Sequence, residues 1–400
     1  MNGRSGNHEL ATSGLRPYVE SVRIQICCPH ANPMSPDSPH QPSNDASASA
    51  SLLSVGYAVP PHRMLQSDAA AAARRIFAHR YAAFERMAPV FETAGIRTRH
   101  TVKPIDWYLT DLGWPERNAA YLEGAQDLFV EAAGRALANA GCEASDVDTI
   151  VTVSSTGIAT PSLEARVAGR MGFRADVERV PVFGLGCAGG VSGLAIADRL
   201  ARARPGSTVL MVAIEVCTTA FRMDQLTSAN MVATALFGDG AAACVVRTGE
   251  SGLARIEGGG EHLWPDSLDI MGWKVDPSGL GVIFDRSIPP FAAEHVGPAV
   301  DGILARIGVA RGSVDRFACH PGGAKVIPAL EATLRLDQGT LDHERAVLGD
   351  YGNMSAPTVL FVLERLVKAG LPRRTVLTAL GPGFACSCLS LASAGLARAT

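Results

Sequence analysis

A two-part internal repeat constrains this 400-residue chain more than any other feature of it. The text ALANAGCEASDVDTIVTV, ending at Val153, resembles ILARIGVARGSVDRFACH, ending at His320. Leu137 falls opposite Leu304, Gly141 opposite Gly308, Val147 opposite Val314 and Asp148 opposite Asp315, an offset of 167 residues. Farther on, GCAGGVSGLAIADRLARARPGSTVLMVAI resembles GNMSAPTVLFVLERLVKAGLPRRTVLTAL, with Cys187 opposite Asn353 at an offset of 166. Self-similarity that keeps order and spacing reports a duplicated structural unit. Each copy carries helix, strand, glycine turn, apolar helix and strand. The expected product is two similar α/β lobes about a pseudo-twofold axis.

Periodicity supports that class. Helices are expected at Leu128 to Ala140, Ala188 to Ala203 and Thr358 to Ala369. Strands are expected at Thr149 to Ser154, Thr208 to Ile214, Ala241 to Arg247, Arg316 to Cys319 and Thr375 to Leu380. Short β-branched runs alternating with helices imply an α/β architecture with a largely buried sheet. Residues 1–50 differ: Cys28 to Ser51 holds five prolines, many serines and alanines and few large apolar residues. That stretch reads as a disordered tail apart from a short strand at Val22 to Cys27. The lobes are then expected at 51–250, carrying Cys187, and 251–400, carrying His320 and Asn353.

Several classes of function are excluded at this stage. Lys and Arg total 36 against 39 Asp and Glu, a net charge of −3, so no basic field is present to neutralise a nucleic-acid backbone. With 47% hydrophobic and 19% charged residues the chain can bury a sizeable core, yet no apolar run is long enough to span a bilayer. The polar first twenty residues lack the apolar core of a signal peptide, and a cytoplasmic location is expected. The nine cysteines form no paired CxxC blocks, so neither a disulfide framework nor a zinc site is expected. The vicinal Cys27-Cys28 with His30 does not close a tetrahedral metal site.

The repeat also points to chemistry. FGLGCAGG opens one apolar helix at Cys187, and DYGNMSAP opens its counterpart at Asn353. A thiol at a helix N-terminus has its thiolate favoured by unpaired N–H groups and the dipole, and the same groups suit an oxyanion. Burial opposes the charge, so a nearby base is needed. His320 is the candidate, ending a strand just before Pro321-Gly322-Gly323. Nucleophile, base and neutral hydrogen-bond donor would converge near the pseudo-axis.

At these residues the sequence resembles the type III polyketide synthases, the chalcone- and stilbene-synthase-like enzymes. FGLGCAGGVSGL, ACHPGG, YGNMSAPTVLFVLER and LGPG carry the resemblance, which covers residues 52–395. It implies the thiolase fold, five αβαβα layers with helices buried between two sheets, normally in a homodimer. It also implies a decarboxylating condensing acyltransferase working on malonyl-CoA and an acyl starter carried by CoA or an acyl carrier protein, without cofactor or metal. Cys187 then accepts the acyl group, and His320 and Asn353 hold the malonyl thioester carbonyl as CO2 leaves. The FGDG text suggests Phe237 as a gatekeeper, and Thr160 as a residue reaching the partner subunit. Gly322 and Ser355, beside His320 and Asn353 in the matching motifs, are expected to bind substrate.

Departures from the family pattern refine the substrate. Val282 stands where plant enzymes place a second gatekeeping aromatic, and Ala220 replaces a threonine. A less obstructed apolar tunnel favours a long-chain fatty acyl starter and an alkylresorcinol or alkylpyrone product, as does SSTGIATPSLEARV, which resembles the bacterial branch. Malonyl or aromatic starters remain the alternative. Arg86, Arg97, Arg99, His100, Lys103 and Lys325 are the cations expected to meet CoA phosphates. A thiolase would need a second thiol as base, for which Cys386 and Cys388 lie near Gly381-Pro382-Gly383. A ketoacyl-ACP synthase shares Cys, His and Asn but has a different histidine stretch, and a non-catalytic subunit would lack the triad.

Overall fold

The computed structural model describes residues 49–393. The Cys27-Cys28-His30 cluster, the strand expected at 22–27 and all but the end of the 1–50 segment lie outside the described residues.

The first copy of the repeat begins with β1 (Ala50–Ala58), β2 (His62–Leu65) and α1 (Gln66–Phe77). Short helices α2 (Phe84–Met87) and α3 (Val90–Thr93) lead to β3 (Thr98–Thr101), α4 (Ile105–Tyr108) and the long α5 (Trp114–Ala140). Next come β4 (Thr149–Val153), α6 (Leu163–Met171), β5 (Glu178–Val182), α7 (Gly189–Ala203), β6 (Thr208–Val216), α8 (Ser228–Leu236) and β7 (Asp239–Thr248). The second copy starts with β8 (Ala254–Leu263) and a hairpin of β9 (Met271–Asp276) and β10 (Gly279–Phe284). It continues through α9 (Ile288–Arg306), β11 (Arg316–Cys319), α10 (Val326–Thr333) and α11 (Asp342–Tyr351). It ends with α12 (Thr358–Ala369), β12 (Arg374–Gly381) and β13 (Ala385–Ala392).

Nine strands are hydrogen-bonded in the order β11-β12-β13-β8-β1-β7-β6-β4-β5. From the centre outward, β1, β7, β6 and β4 are mirrored by β8, β13, β12 and β11; β5 has no counterpart. Pairing direction repeats too, β4 with β6 and β11 with β12 parallel, β6 with β7 and β12 with β13 antiparallel. Within the sheet, the two halves join where β1 pairs with β8, Ser51 with Arg255 and Leu52 with Ala254.

The residues shared by the two copies explain why both fold alike. Gly141 after α5 and Gly308 after α9 are both left-handed, at φ 65 and 73, where a side chain is disfavoured and a helix ends readily. Asp148 accepts a hydrogen bond from the Thr208 N–H at 2.9 Å, and Asp315 accepts one from the Arg374 N–H at 2.8 Å. In each half the aspartate therefore ties the start of one strand to the start of its parallel neighbour.

Strand residues alternate between two cores, as a period of two requires. On β6, Val209, Met211 and Ala213 face the core around α7 and α12, whereas Leu210, Val212 and Ile214 face α5. On β12, Leu377 and Ala379 face the same central core, and Val376 and Leu380 face α9 and α10. The layers are thus α5, sheet, α7 with α12, sheet, and α9, the five-layer α/β arrangement that the resemblance implies. At the centre, a Cβ on Gly190 would lie 2.2 Å from the Ala356 carbonyl oxygen, so the chains meet there backbone to backbone.

Candidate active site

Cys187 lies in a single 3-10 turn, Gly186–Ala188, that runs into α7. Gly186 has φ 46, and a Cβ there would lie 2.7 Å from Pro382 Cδ, so the Gly381-Pro382-Gly383 turn packs directly on the Cys187 loop. Asn353 occupies the repeat-related place ahead of α12, between Gly352 at φ 72 and Ser355 at φ 59. The Asn353 N–H donates to the Leu236 carbonyl at 2.8 Å, and its own carbonyl accepts from the Gly238 N–H at 3.0 Å. His320 stands just beyond β11, with its backbone N–H donating to Thr378 O at 2.8 Å.

The three side chains converge. The Ser355 and Asn353 side chains both act on the Cys187 thiol, favouring its thiolate. Asn353 Oδ1 accepts from the Ser355 N–H at 2.8 Å, and Nδ2 donates to the Gly322 carbonyl at 3.0 Å. A Cβ on Gly322 would sit 3.8 Å from His320 Nε2, so the imidazole lies alongside the turn that grips the amide. His320 is 5% exposed, and neither ring nitrogen has a hydrogen-bond partner among the described residues.

Burial keeps this group of atoms neutral. It pushes the Cys187 thiol up to about 11, against the pull of Ser355 and Asn353 and with a further push from Glu215. Burial also brings the His320 imidazole down to about 4. A neutral imidazole is a base, so it can take the thiol proton when an electrophile arrives, and the resulting charges then stabilise each other. Glu215, at the end of β6, is raised to about 8 by burial. One carboxylate oxygen accepts from the Ser155 N–H at 3.0 Å and the Thr156 hydroxyl at 2.8 Å, and the other has no partner.

Three spaces follow one another through this region. An exposed groove is bordered by Arg86, Arg286, Lys325, Gly322, Gly323 and Phe284. Phe284 also borders the thiol cavity, whose other walls include Cys187, Gly186, Ser355, Pro382, Met271 and Ile283. Behind it, an apolar pocket is walled by Ala69, Ala73, Ile76, Ala220, Phe221 and Ala233. Cys217, Phe237, Trp273 and Val282 line both the thiol cavity and this pocket. Phe237 and Trp273 meet edge to face there, with ring centroids 6.0 Å apart.

The chain matches the N-terminal domain of the chalcone and stilbene synthases over residues 39–250 and their C-terminal domain over residues 257–394. It is 40% identical over 347 residues to a 1,3,6,8-tetrahydroxynaphthalene synthase of Streptomyces peucetius subsp. caesius, covering 84% of this chain and 90% of that one. This chain belongs to the chalcone and stilbene synthase family. It is therefore a type III polyketide synthase, a decarboxylating condensing acyltransferase of the thiolase fold that works on CoA thioesters without a cofactor. A 3,5-dihydroxyphenylacetyl-CoA synthase of Amycolatopsis orientalis is 32% identical over 266 residues, 65% of this chain and 72% of that one. The crystal structure of the tetrahydroxynaphthalene synthase of Streptomyces coelicolor A3(2) superimposes with a TM-score of 0.81 at 30% identity, covering 86% of this chain and 99% of that one.

Within this polyketide synthase the remaining expected residues separate. Phe237, Ala220, Val282, Gly322 and Ser355 border the three spaces, as do Arg86 and Lys325 at the groove. Arg97 does not border the groove: it pairs with Asp350 at 2.5 Å. Lys103 pairs with Glu123 at 2.6 Å in a separate cleft against α5, and His100 Nδ1 contacts the Pro60 carbonyl at 2.9 Å. Arg99 is only 2% exposed and borders the inner apolar pocket instead of the groove, so it is not placed to meet a phosphate there. Thr160 is exposed in the loop between β4 and α6, outside all three spaces. Cys386 and Cys388 are buried on the α9 face of β13 and hydrogen-bond with Thr378, so neither offers the second thiol a thiolase needs.

Sequence reasoning missed Arg286, Phe284, Trp273 and Cys217. Arg286 had a usable signal, a cation two residues beyond an apolar strand end; Trp273 and Cys217 had none apart from their places near Val282 and Ala220. Among the described residues no group of three His, Cys, Asp or Glu could hold a metal, and no helix is long and apolar enough to cross a membrane.

Proposed function

We propose that this synthase loads a long-chain aliphatic acyl group onto Cys187, extends it with malonyl-CoA and closes the product to an alkylresorcinol or alkylpyrone. The observation that carries the starter assignment is the wall shared by Cys217, Phe237, Trp273 and Val282, which sets an apolar pocket directly behind the thiol. An alkyl chain on Cys187 gains by leaving water for that pocket.

The chemistry is assigned as follows. His320 takes the Cys187 proton on Nε2 as sulfur attacks the acyl-CoA thioester, and CoA leaves as its thiolate, so Nε2 keeps its hydrogen. Malonyl-CoA then enters along the groove, its phosphates met by Arg86, Arg286 and Lys325. As CO2 departs, the electron pair moves into an enolate whose oxygen is held by His320 Nε2–H and the Asn353 amide. One amide N–H is bound to Gly322 O, which leaves the other for the substrate. The enolate carbon attacks the acyl-Cys187 carbonyl and sulfur leaves, lengthening the chain by two carbons. Asn353 suits the task because it donates without titrating.

A second reading is an all-malonyl starter with a hydroxylated ring product that bears no alkyl chain. It is favoured by the Phe237–Trp273 contact across the pocket mouth and by the products in the relatives' names, a tetrahydroxynaphthalene and a dihydroxyphenylacetyl-CoA. A ladder of isotope-labelled acyl-CoA starters with malonyl-CoA separates the two. Label carried from long-chain starters into product supports the first reading. Product formed from malonyl-CoA alone, with no label from any acyl-CoA, overturns it.

We also place the enzyme in the cytoplasm, where CoA thioesters are made, and as a homodimer. Support for self-association comes from β5, the unpaired edge of the nine-stranded sheet, followed at once by Phe183, which is 59% exposed. Light scattering that returns a monomer mass at micromolar concentration would sink the dimer.

A further inference from the structure

Arg99 is the one expected phosphate contact that the fold turns completely inward, and what it grips bears on the reaction. Its Nη1 donates to the Thr234 carbonyl at 2.7 Å and the Phe237 carbonyl at 2.9 Å. Its Nη2 donates to the Ala235 carbonyl at 2.8 Å and to Gln66 Oε1. Thr234 and Ala235 belong to the last turn of α8, whose carbonyls have no helical partner and carry the negative end of the dipole. A guanidinium is suited to hold several such oxygens at once, because its donors form a rigid planar fork.

The same short segment holds Asn353. Leu236 O accepts the Asn353 N–H at 2.8 Å, and the Gly238 N–H donates to Asn353 O at 3.0 Å. Backbone groups at 235 and 237 are thus bound by Arg99, and those at 236 and 238 by Asn353. There is no slack between them: a Cβ on Gly238 would lie 2.4 Å from Tyr351 O and 3.2 Å from Arg99 Cβ, and one on Gly352 would lie 2.9 Å from Leu236 O. Gln66 braces the clasp from the far side, with Nε2 donating to Ala235 O at 3.1 Å and Phe91 O at 3.0 Å. Behind the guanidinium stands Asp239, fixed by the Val102 N–H at 2.9 Å and the Thr218 N–H at 2.8 Å.

We propose that Arg99 is a positioning residue for decarboxylation, holding the 234–238 segment so that the Asn353 amide and the Phe237 ring are presented to the substrate at fixed places. This rests on the reading of Asn353 as the enolate donor. Arg99 itself touches no reacting atom: it borders the apolar pocket behind Phe237 but not the thiol cavity in which Cys187 is loaded.

The test uses Arg99→Met and Arg99→Lys in the full chain, with CO2 release from malonyl-CoA and the acyl-Cys187 mass adduct measured separately. Arg99→Met should lower kcat for decarboxylation about tenfold or more while KM and the loading rate change little, since a donor held out of place forfeits much of its stabilisation of the developing charge. Arg99→Lys should restore part of the loss, as one ammonium can still reach one or two carbonyls. In the Asn353→Ala background, Arg99→Met should cost nothing further. If Arg99→Met fails to fold, Gln66→Leu, which removes the brace alone, should show the same split at smaller size. Equal losses in loading and decarboxylation, or a full extra loss on top of Asn353→Ala, overturn the proposal. If Asn353→Ala itself leaves decarboxylation intact, the reading of Asn353 falls and the proposal with it; if only the Arg99 variants are silent, the proposal falls alone.

Discussion

At the end of β4, in the first half of the molecule, stands Val153, an apolar side chain wholly buried in the central core. At the repeat-related strand end of the second half stands His320, with both ring nitrogens unpartnered among the described residues. The helix openings differ in the same way, with the Cys187 thiol before α7 and the Asn353 carboxamide before α12. Aspartates, left-handed glycines and strand order are shared by the two halves, whereas the groups with chemistry are not. Duplication therefore supplied two equivalent helix openings, and under the function proposed above a handful of side-chain differences divides the work: acyl group held from one side, malonyl carbonyl from the other.

That division can be broken most sharply at the thiol. Cys187→Ala should abolish condensation and the acyl adduct while malonyl-CoA decarboxylation continues, because the carbonyl-holding half is untouched; CO2 release and intact-protein mass read the two separately. His320→Ala should lose both, by about a hundredfold or more each, since one imidazole serves as base for the thiol and donor to the enolate. Condensation in Cys187→Ala at the wild-type rate would end the comparison.

A narrower cut is Asn353→Asp. A carboxylate has about the same shape but repels the enolate, so decarboxylation should fall about a hundredfold while loading persists. An equal fall in loading would mean that the halves do not work independently. The smallest expected effect concerns Glu215, which opposes the thiolate only when ionised. Its folded-state value near 8 means that the carboxyl is protonated at pH 7 and charged above pH 8. Glu215→Gln should thus leave the iodoacetamide rate of Cys187 unchanged at pH 7 and raise it severalfold by pH 9 to 10. A rate increase already complete at pH 7 would show that Glu215 acts by another route.

Much of this was legible in the chain because a repeat is a long-range signal written locally. Gly141 with Gly308 and Asp148 with Asp315 marked the duplication, and the helix openings pointed to Cys187 and Asn353. Strand β8 was not legible, since Gly258, Gly259 and Gly260 have little β-propensity. A Cβ on Gly259 would lie only 3.0 Å from Ala195 Cβ, so the strand is bare where α7 presses on it. Arg99 was misread for a related reason. β3, reading Thr-Arg-His-Thr, looks like a surface strand, and the oxygens that make its burial tolerable come from residues 234–237, more than a hundred positions away. Arg286 and Lys325 meet Arg86 only through the fold, so no cluster in the text announced the groove.

The contact between Gly190 and Ala356 has a consequence for how such an enzyme diversifies. Because α7 abuts the turn that leads into α12 main chain to main chain, the span from sulfur to carboxamide is set by peptide geometry and stays constant while surrounding side chains drift. Trp273, Val282 and Ala220 sit on other elements and are free to be resculpted for new starters without retuning the chemistry. A bulkier residue at 190, by contrast, would pry the nucleophile from its partners and silence every product at once.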